Sequence, residues 1–318
     1  MIRSKVIGIG ACMPERIVHN RDLDAKLETS HEWIMERTGI EQRHIAGANE
    51  FTSTLAIGAG KEAIENAKID AMSIDLVLVA TTTPDDTMPA TATKVQHALG
   101  AKNAAAFDIN AACSGFVYAM TVANSFIVSG AAKRVLVIGA ETYSRIMDWN
   151  DRSTCVLFGD GAAALLLEAT EGERGILASH IYTDGEFTAQ LNTTGGVSTT
   201  QTSGLFTMMG KEIFRHAVAK MPQAVEQGIA SAGITLDDIN WLVPHQANQR
   251  ILAGVAQKLG IGEERVISTV SGHANTSAAS IPLAIYAGVK DGRIKQGDIL
   301  ACPALGAGLT WGCTILRW

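Results

Sequence analysis

The chain has 318 residues, enough for about two domains or one large duplicated one whose core hides roughly three quarters of the unfolded surface. Apolar side chains make up 47% and charged ones only 18%, which excludes a disordered chain, a coiled coil and a nucleic-acid-binding arm. With 26 Lys and Arg against 32 Asp and Glu the net charge is −6, so a polyanionic partner has to meet a local basic patch, and so little charge for this length points to surface covered in an oligomer.

The first fifteen residues hold a short apolar run before Pro14 and read as a first strand rather than a signal peptide. Gly8-Ile9-Gly10 lacks the third glycine of a dinucleotide fingerprint. An apolar run at 74–77 is followed by Phe107-Asp108-Ile109, a strand that gives way to helix at Cys113. Strand 134–137 and Phe158-Gly159-Asp160-Gly161, which is not a P-loop, precede a charged, glycine-bearing stretch at 168–175 that marks a boundary. Residues 187–210 are uncharged and polar, a surface excursion beside a site or a loose loop. A helix with one apolar face follows Gly210, with a kink expected at Pro222; a second spans Gln249–Leu259 and ends at Gly260.

Three features recur at a shift near 163 residues: the run 74–77 returns at 238–243, Cys113 is matched by Asn275, and 134–137 by 298–301. The pattern indicates an internal duplication of layered α/β units. Two stretches of 24 residues, 109–132 and 266–289, carry no charge, but their serines and asparagines make them buried helices rather than membrane spans.

Five cysteines (Cys12, Cys113, Cys155, Cys302, Cys313) without CxxC spacing argue against disulfides and zinc and make a reducing cytoplasm the default. No metal motif is present and no membrane or nucleic-acid partner is expected. Cys113 at a helix entrance has its thiolate favoured by the helix end, by about one pKa unit, so a further helper such as histidine is needed. His245 ends a strand fixed by Pro244, and Asn275 sits where another strand becomes a helix. Taken singly, each also suits a structural role: an inert buried thiol, a hydrogen-bonded histidine, a helix cap. Converging across a duplicated fold, they suit acyl transfer, with sulfur carrying the acyl group and the other two donating to a developing oxyanion.

These residues sit in segments that together resemble the β-ketoacyl-acyl carrier protein synthase III family of the thiolase superfamily. The segments are Trp33-Ile34 with Glu36 to Ile40, Phe107 to Phe116, Phe158 to Ala162, Val243 to Asn248, Asn275 to Ser280, and Gly308 to Gly312. The resemblance implies a duplicated thiolase-like α/β/α/β/α fold, with residues 1–172 carrying the nucleophile and 173–318 the histidine and asparagine. It implies decarboxylative condensation of an acyl-CoA, acetyl-CoA foremost, with malonyl-acyl carrier protein, the initiating step of type II fatty acid synthesis; a related enzyme priming a polyketide-type product is the alternative. Cys113, His245 and Asn275 would then be catalytic, with the amides of Cys113 and Ala307 forming an oxyanion hole. Trp33, Arg37 and Arg152 would bind CoA, Met88 and Leu305 would shape the acyl pocket, and Gln246, Ala247, Asn248, Gln249 and Arg250 would dock the carrier protein. The family resemblance also implies a homodimer and no cofactor, acyl-CoA being a substrate. Two positions depart from the family: Ala274 and Ala307 stand where glycine is common.

Overall fold

The computed structural model describes residues 2–23 and 27–318. In chain order its elements are β1 (Ile2–Cys12), β2 (Ile17–His19), α1 (His31–Thr38), β3 (Gln42–His44), α2 (Thr52–Ala67), β4 (Leu76–Ala80), α3 (Thr91–Ala98), β5 (Ala105–Ile109), α4 (Gly115–Val128), β6 (Arg134–Glu141) and β7 (Gly161–Glu171). They continue with β8 (Gly175–Thr183), β9 (Leu191–Thr193), β10 (Phe206–Met208), α5 (Gly210–Ala232), β11 (Trp241–Leu242), α6 (Gln249–Leu259), α7 (Val270–His273), α8 (Ser280–Lys290), β12 (Ile299–Gly306) and β13 (Thr310–Arg317).

Two sheets carry the architecture, ordered β1-β7-β6-β4-β5 and β8-β13-β12-β11. The second repeats the first. In each, two antiparallel pairings are followed by a parallel one. A parallel bridge from Leu242 to Val266 stands where β4 pairs with β5. Leu76 faces Val135 and Trp241 faces Leu300, pairs with the same separation along the chain, so the recurring apolar runs are equivalent strands.

Strand periodicity sorts side chains between layers. Leu76, Leu78, Val135, Val137, Leu165 and Leu167 point to one face, where they meet Phe116 and Met120 of α4 and Ile281 and Ile285 of α8. The alternate residues Val77, Val79, Leu136, Ile138 and Leu166 pack on Leu55, Ala59 and Ala63 of α2. From the second sheet Leu300, Cys302 and Leu316 enter the central core. Ala301, Cys313 and Ile315 turn outward to α5 and α6. The order is helices, sheet, helices, sheet, helices. Helices sandwiched between two sheets are apolar all round, which is why the two uncharged stretches contain α4 and α8. No helix among the described residues is long and apolar enough to cross a membrane.

α5 continues unbroken past Pro222. α6 has the bounds read from the sequence, with Gly260 at φ 70° closing it. β7 extends through Glu171, so only 172–174 separate the sheets.

Candidate active site

The chain leaves β5 and makes a single tight turn, Ala112–Ser114, before α4 begins at Gly115. Ala112 takes φ 47°, a left-handed angle that costs a residue with a Cβ about 1–2 kcal/mol. It aims Cys113 at the end of β12. There a Cβ on Gly306 would lie 2.7 Å from the Cys113 amide nitrogen, so only glycine permits the approach. The Thr310 hydroxyl ties the two segments, 3.0 Å from Ala111 O, 2.9 Å from Ala307 O and 2.5 Å from the Ser114 hydroxyl.

Burial pushes the Cys113 thiol up to about 12; hydrogen bonding with Ser277 opposes this and the nearby Glu141 charge adds to it. The helix-end argument therefore meets a larger adversary. α4 starts two residues beyond the sulfur, and dehydration outweighs what its N-terminus supplies.

His245 follows β11 and is buried, its Nδ1 2.7 Å from Ser280 Oγ. The same oxygen accepts the Gln246 N–H at 3.3 Å, and Nδ1 is the one acceptor within reach of the Ser280 proton among the described residues, so Ser280 donates to Nδ1 and the imidazole proton is assigned to Nε2. Desolvation without a charged partner pushes His245 down to about 3, so the ring is neutral at working pH. Asn275 is fixed at three points. Its Oδ1 accepts the Ser277 N–H at 2.8 Å, its N–H donates to Leu157 O at 2.9 Å, and its carbonyl accepts the Gly159 N–H at 3.0 Å. With Oδ1 taken, the amide NH2 is the free end. Buried Asp160 pins the clamping loop by accepting from Ala46 N at 2.7 Å and Ser144 N at 2.9 Å, which gives Phe158-Gly159-Asp160-Gly161 its structural task. Ala274 keeps a glycine-type conformation, φ 57° and ψ −157°.

Cys113, His245 and Asn275 line one cavity of about 600 Å³, with Leu305 on its wall. Its remaining wall is apolar and includes Leu191, Phe206 and Met208, so the polar excursion contributes the hairpin β9-β10 to the site and exposes its tip. Arg37, Lys211, Arg215 and Arg250 stand on the rim.

Other expected residues fare differently. Trp33 N–H caps α1 on Ser30 Oγ, and its ring carries two guanidinium groups, Arg37 at 4.6 Å and Arg152 at 5.3 Å. An adenine between Trp33 and Arg152 needs roughly 7 Å, two van der Waals contacts, so Arg152 has to swing outward to admit one. Ala247, Asn248 and Arg250 reach the cavity, while exposed Gln249 accepts from Ser268 Oγ. Gln246 leaves the docking set: it is fully buried and its side chain bonds Pro244 O, Ile267 O and Thr269 N, so it holds the His245 loop instead of meeting a partner. Met88 is 84% exposed and does not line its own chain's cavity. Ala307 lies next to Leu305 and Gly306 at the end of β12.

Glu141, Ser277 and Ser280 surround the site and were not singled out from the sequence. The signal for Glu141 is a charge that ends the apolar run 135–140, all of which is buried together with Glu141 itself. Ser277 and Ser280 lie within the segment beginning at Asn275.

Comparison with known proteins follows the same lines. The family described as 3-oxoacyl-[acyl-carrier-protein] synthase III matches residues 107–185, and its C-terminal counterpart matches residues 229–318. The chain is 54% identical to the β-ketoacyl-[acyl-carrier-protein] synthase III of Erythrobacter litoralis, with all of both chains covered. The crystal structure of 3-oxoacyl-[acyl-carrier-protein] synthase III from Aquifex aeolicus superposes with a TM-score of 0.95 at 43% identity, covering 99% of this chain and 100% of that one. A priming β-ketosynthase from the R1128 polyketide pathway gives 0.93 at 34% identity, covering 99% and 96%.

Proposed function

We infer the roles of individual residues from one premise: the chain belongs to the 3-oxoacyl-[acyl-carrier-protein] synthase III family. It is an acyltransferase of thiolase-like fold that condenses an acyl-CoA with malonyl-acyl carrier protein, initiating fatty acid synthesis. Its primer, in our reading, is acetyl-CoA.

In the first stage the Cys113 sulfur attacks the acyl-CoA carbonyl. The oxyanion is held by the amides of Cys113 and Ala307, and coenzyme A departs. In the second stage the malonyl thioester oxygen sits between His245 Nε2–H and Asn275 Nδ2–H. The bond to the carboxylate breaks, its electron pair moves toward that oxygen, and the resulting carbanion attacks the acyl group on Cys113. Charge reaches the oxygen only as carbon dioxide leaves, so two fixed donors favour the transition state over the bound substrate. One observation carries this reading: Ser280 on Nδ1 and the Ser277 N–H on Oδ1 leave the donor ends of both side chains free. A neutral imidazole can donate there with no proton to be gained first. None of these steps calls on a cofactor.

Trp33, Arg37 and Arg152 bind the nucleotide of CoA in this reading, stacking being worth roughly 1–3 kcal/mol. Ala247, Asn248 and Arg250, with Arg215 beside the cavity, exposed Gln249, and Lys258 in the last turn of α6, are in this reading the docking patch for an acidic carrier protein. The chain acts as a homodimer in which exposed Met88 reaches the partner's acyl pocket, and five free thiols suit a reducing cytoplasm. The polyketide relative is less similar than the 54% relative, which supports a fatty acid product.

The test uses purified protein, radiolabelled acetyl-CoA, and malonyl-acyl carrier protein added or withheld. Label should reside on the enzyme without the carrier substrate, pass to ketoacyl-carrier product with it, and be absent from Cys113→Ser. Label released to water, with no ketoacyl product, would instead indicate a hydrolase.

A further inference from the structure

Among the described residues, one Lys or Arg side chain is wholly buried. Arg43, the central residue of β3, has no exposed surface, and its guanidinium donates to neutral acceptors: Val156 O at 2.8 Å, Asn20 Oδ1 at 2.8 Å and Val18 O at 3.3 Å. Its Nε finds no acceptor. Burial pushes the guanidinium down to about 10, which still leaves it charged at neutral pH. A buried charge without a counter-ion opposes folding, and an apolar side chain of similar volume would fill the same space at less cost. Stability alone does not account for it.

What the guanidinium grips is the approach to the segment that fixes Asn275. Residues 151–157 run as turns with no strand of their own, so their position depends on ties from outside. Leu157 O accepts the Asn275 N–H, the Gly159 N–H donates to Asn275 O, and Phe158 bridges Asn275 between them. Val156 comes just before this clamp and Asp160 just after it. Arg43 holds the first, while the amides of Ala46 and Ser144 hold the second. The Arg43 side chain also runs close beside the clamp, since a Cβ on Gly159 would lie 3.1 Å from its Cβ. Arg43 is itself fixed by the pairing of β3 with β2, where it faces Val18. Asn20 extends the tie, its Nδ2 donating to Ile40 O at 2.7 Å just beyond α1. The other two reactive groups have separate supports: Cys113 is tied through Thr310, and His245 through Ser280 and Gln246.

We propose that Arg43 is a positioning residue for the condensation step, its grip on Val156 O setting where the 157–159 clamp places the Asn275 amide. This deepens the reading of Asn275 as a donor to the malonyl thioester oxygen and rests on it. A displaced turn leaves Asn275 chemically intact but carries its NH2 away from that oxygen, so the developing charge loses one of its two donors. Acylation of Cys113 uses neither Asn275 nor its clamp. A guanidinium suits the task because its planar fork of donors is rigid, whereas a lysine ammonium is a mobile point charge.

A double-mutant cycle tests this. Condensation from preformed acetyl-enzyme is timed in single turnovers with saturating malonyl-acyl carrier protein for the wild type, Arg43→Met, Arg43→Lys, Asn275→Ala and the double variant Arg43→Met with Asn275→Ala. Acetyl labelling rates and melting temperatures are recorded on the same preparations. Arg43→Met, which keeps the bulk and removes the donors, should slow condensation about 100-fold, the loss that a small misplacement of a reacting group brings, with labelling at the wild-type rate. Arg43→Lys keeps the charge and an N–H donor and should recover part of the rate. On the Asn275→Ala background, Arg43→Met should cost little more, because no amide is left to misplace. A double variant slowed by the product of the two single losses would overturn the proposal, as would wild-type condensation by Arg43→Met or equal slowing of labelling and condensation. If Arg43→Met does not fold, the cycle is run with Arg43→Lys, whose loss should likewise vanish on the Asn275→Ala background. Asn275→Ala condensing at the wild-type rate refutes the donor itself, whereas independent losses beside a slow Asn275→Ala refute only the positioning role.

Discussion

The inner wall of the cavity and its mouth are built on different principles. Inside, every reactive group has a fixed partner: Asn275 is held at Oδ1, at N–H and at its carbonyl, His245 at Nδ1, and Cys113 lies under the end of β12. Outside that wall, from Arg37 on the cavity rim outward, Arg37 and Arg152 both lie over the Trp33 ring and all three are more exposed to water. In the proposed reaction the wall is preorganised for charge that appears only during reaction, while the Trp33 cluster has to open to admit a nucleotide. The first should govern the chemical step and the second the affinity for substrate.

Removing either inner donor gives the largest effect. His245→Ala and Asn275→Ala should each slow condensation by about 10²–10³-fold, the usual cost of an oxyanion donor, with acetyl labelling of Cys113 retained in a filter assay. At the mouth, Trp33→Ala and Arg152→Ala should raise KM for acyl-CoA by roughly 5- to 150-fold, matching stacking of about 1–3 kcal/mol, and leave kcat nearly unchanged in steady-state kinetics. An increase in KM from an inner variant alone, or a fall in kcat from a mouth variant alone, would break the contrast.

A smaller effect concerns strain. Ala274→Gly should raise unfolding free energy by about 1 kcal/mol in urea titrations, because glycine accepts φ 57° and ψ −157° without a Cβ clash. The smallest effect is an expected flat line. Condensation from preformed acetyl-enzyme should show no inflection near pH 6.5, since His245 is already neutral far below it. Stability behaves otherwise: unfolded His245 binds a proton near pH 6.5 and the folded residue only near 3, so its contribution is intact above 6.5 and lost as pH falls between them. Urea titrations at pH 7.5 and pH 5 read this directly.

Much of this was legible in the sequence because it is written locally. Cys113 and His245 each follow a strand and precede a helix, and Gly260 marks the end of α6, whereas the strand expected before Asn275 is the short helix α7, with only a single bridge from Asn275 to Phe158. The central helices announced themselves by lacking charge, a requirement of lying between two sheets. What escaped depends on partners distant in the chain. Gln246 looks like a surface residue until Ile267 and Thr269 close over it. Glu141 acquires meaning only beside Thr82, Thr83 and Ser277, and the state of Cys113 is set by dehydration that no helix-end argument contains. Ala112 and Ala274 adopt left-handed angles that their residue type conceals.

Asn275→Ala offers the most direct reading of the central claim, that a thiol from the turn before α4 and an amide from the turn before α8 serve one condensation, the first holding the primer and the second the malonyl thioester. Its intact mass is recorded after incubation with acetyl-CoA and again after malonyl-acyl carrier protein is added, and the modified peptide is identified. The account predicts a single acetyl group on the peptide containing Cys113 that persists through the second addition, where the wild type discharges it. An acetyl group on another residue, or one that malonyl-acyl carrier protein removes from Asn275→Ala as fast as from the wild type, would contradict it.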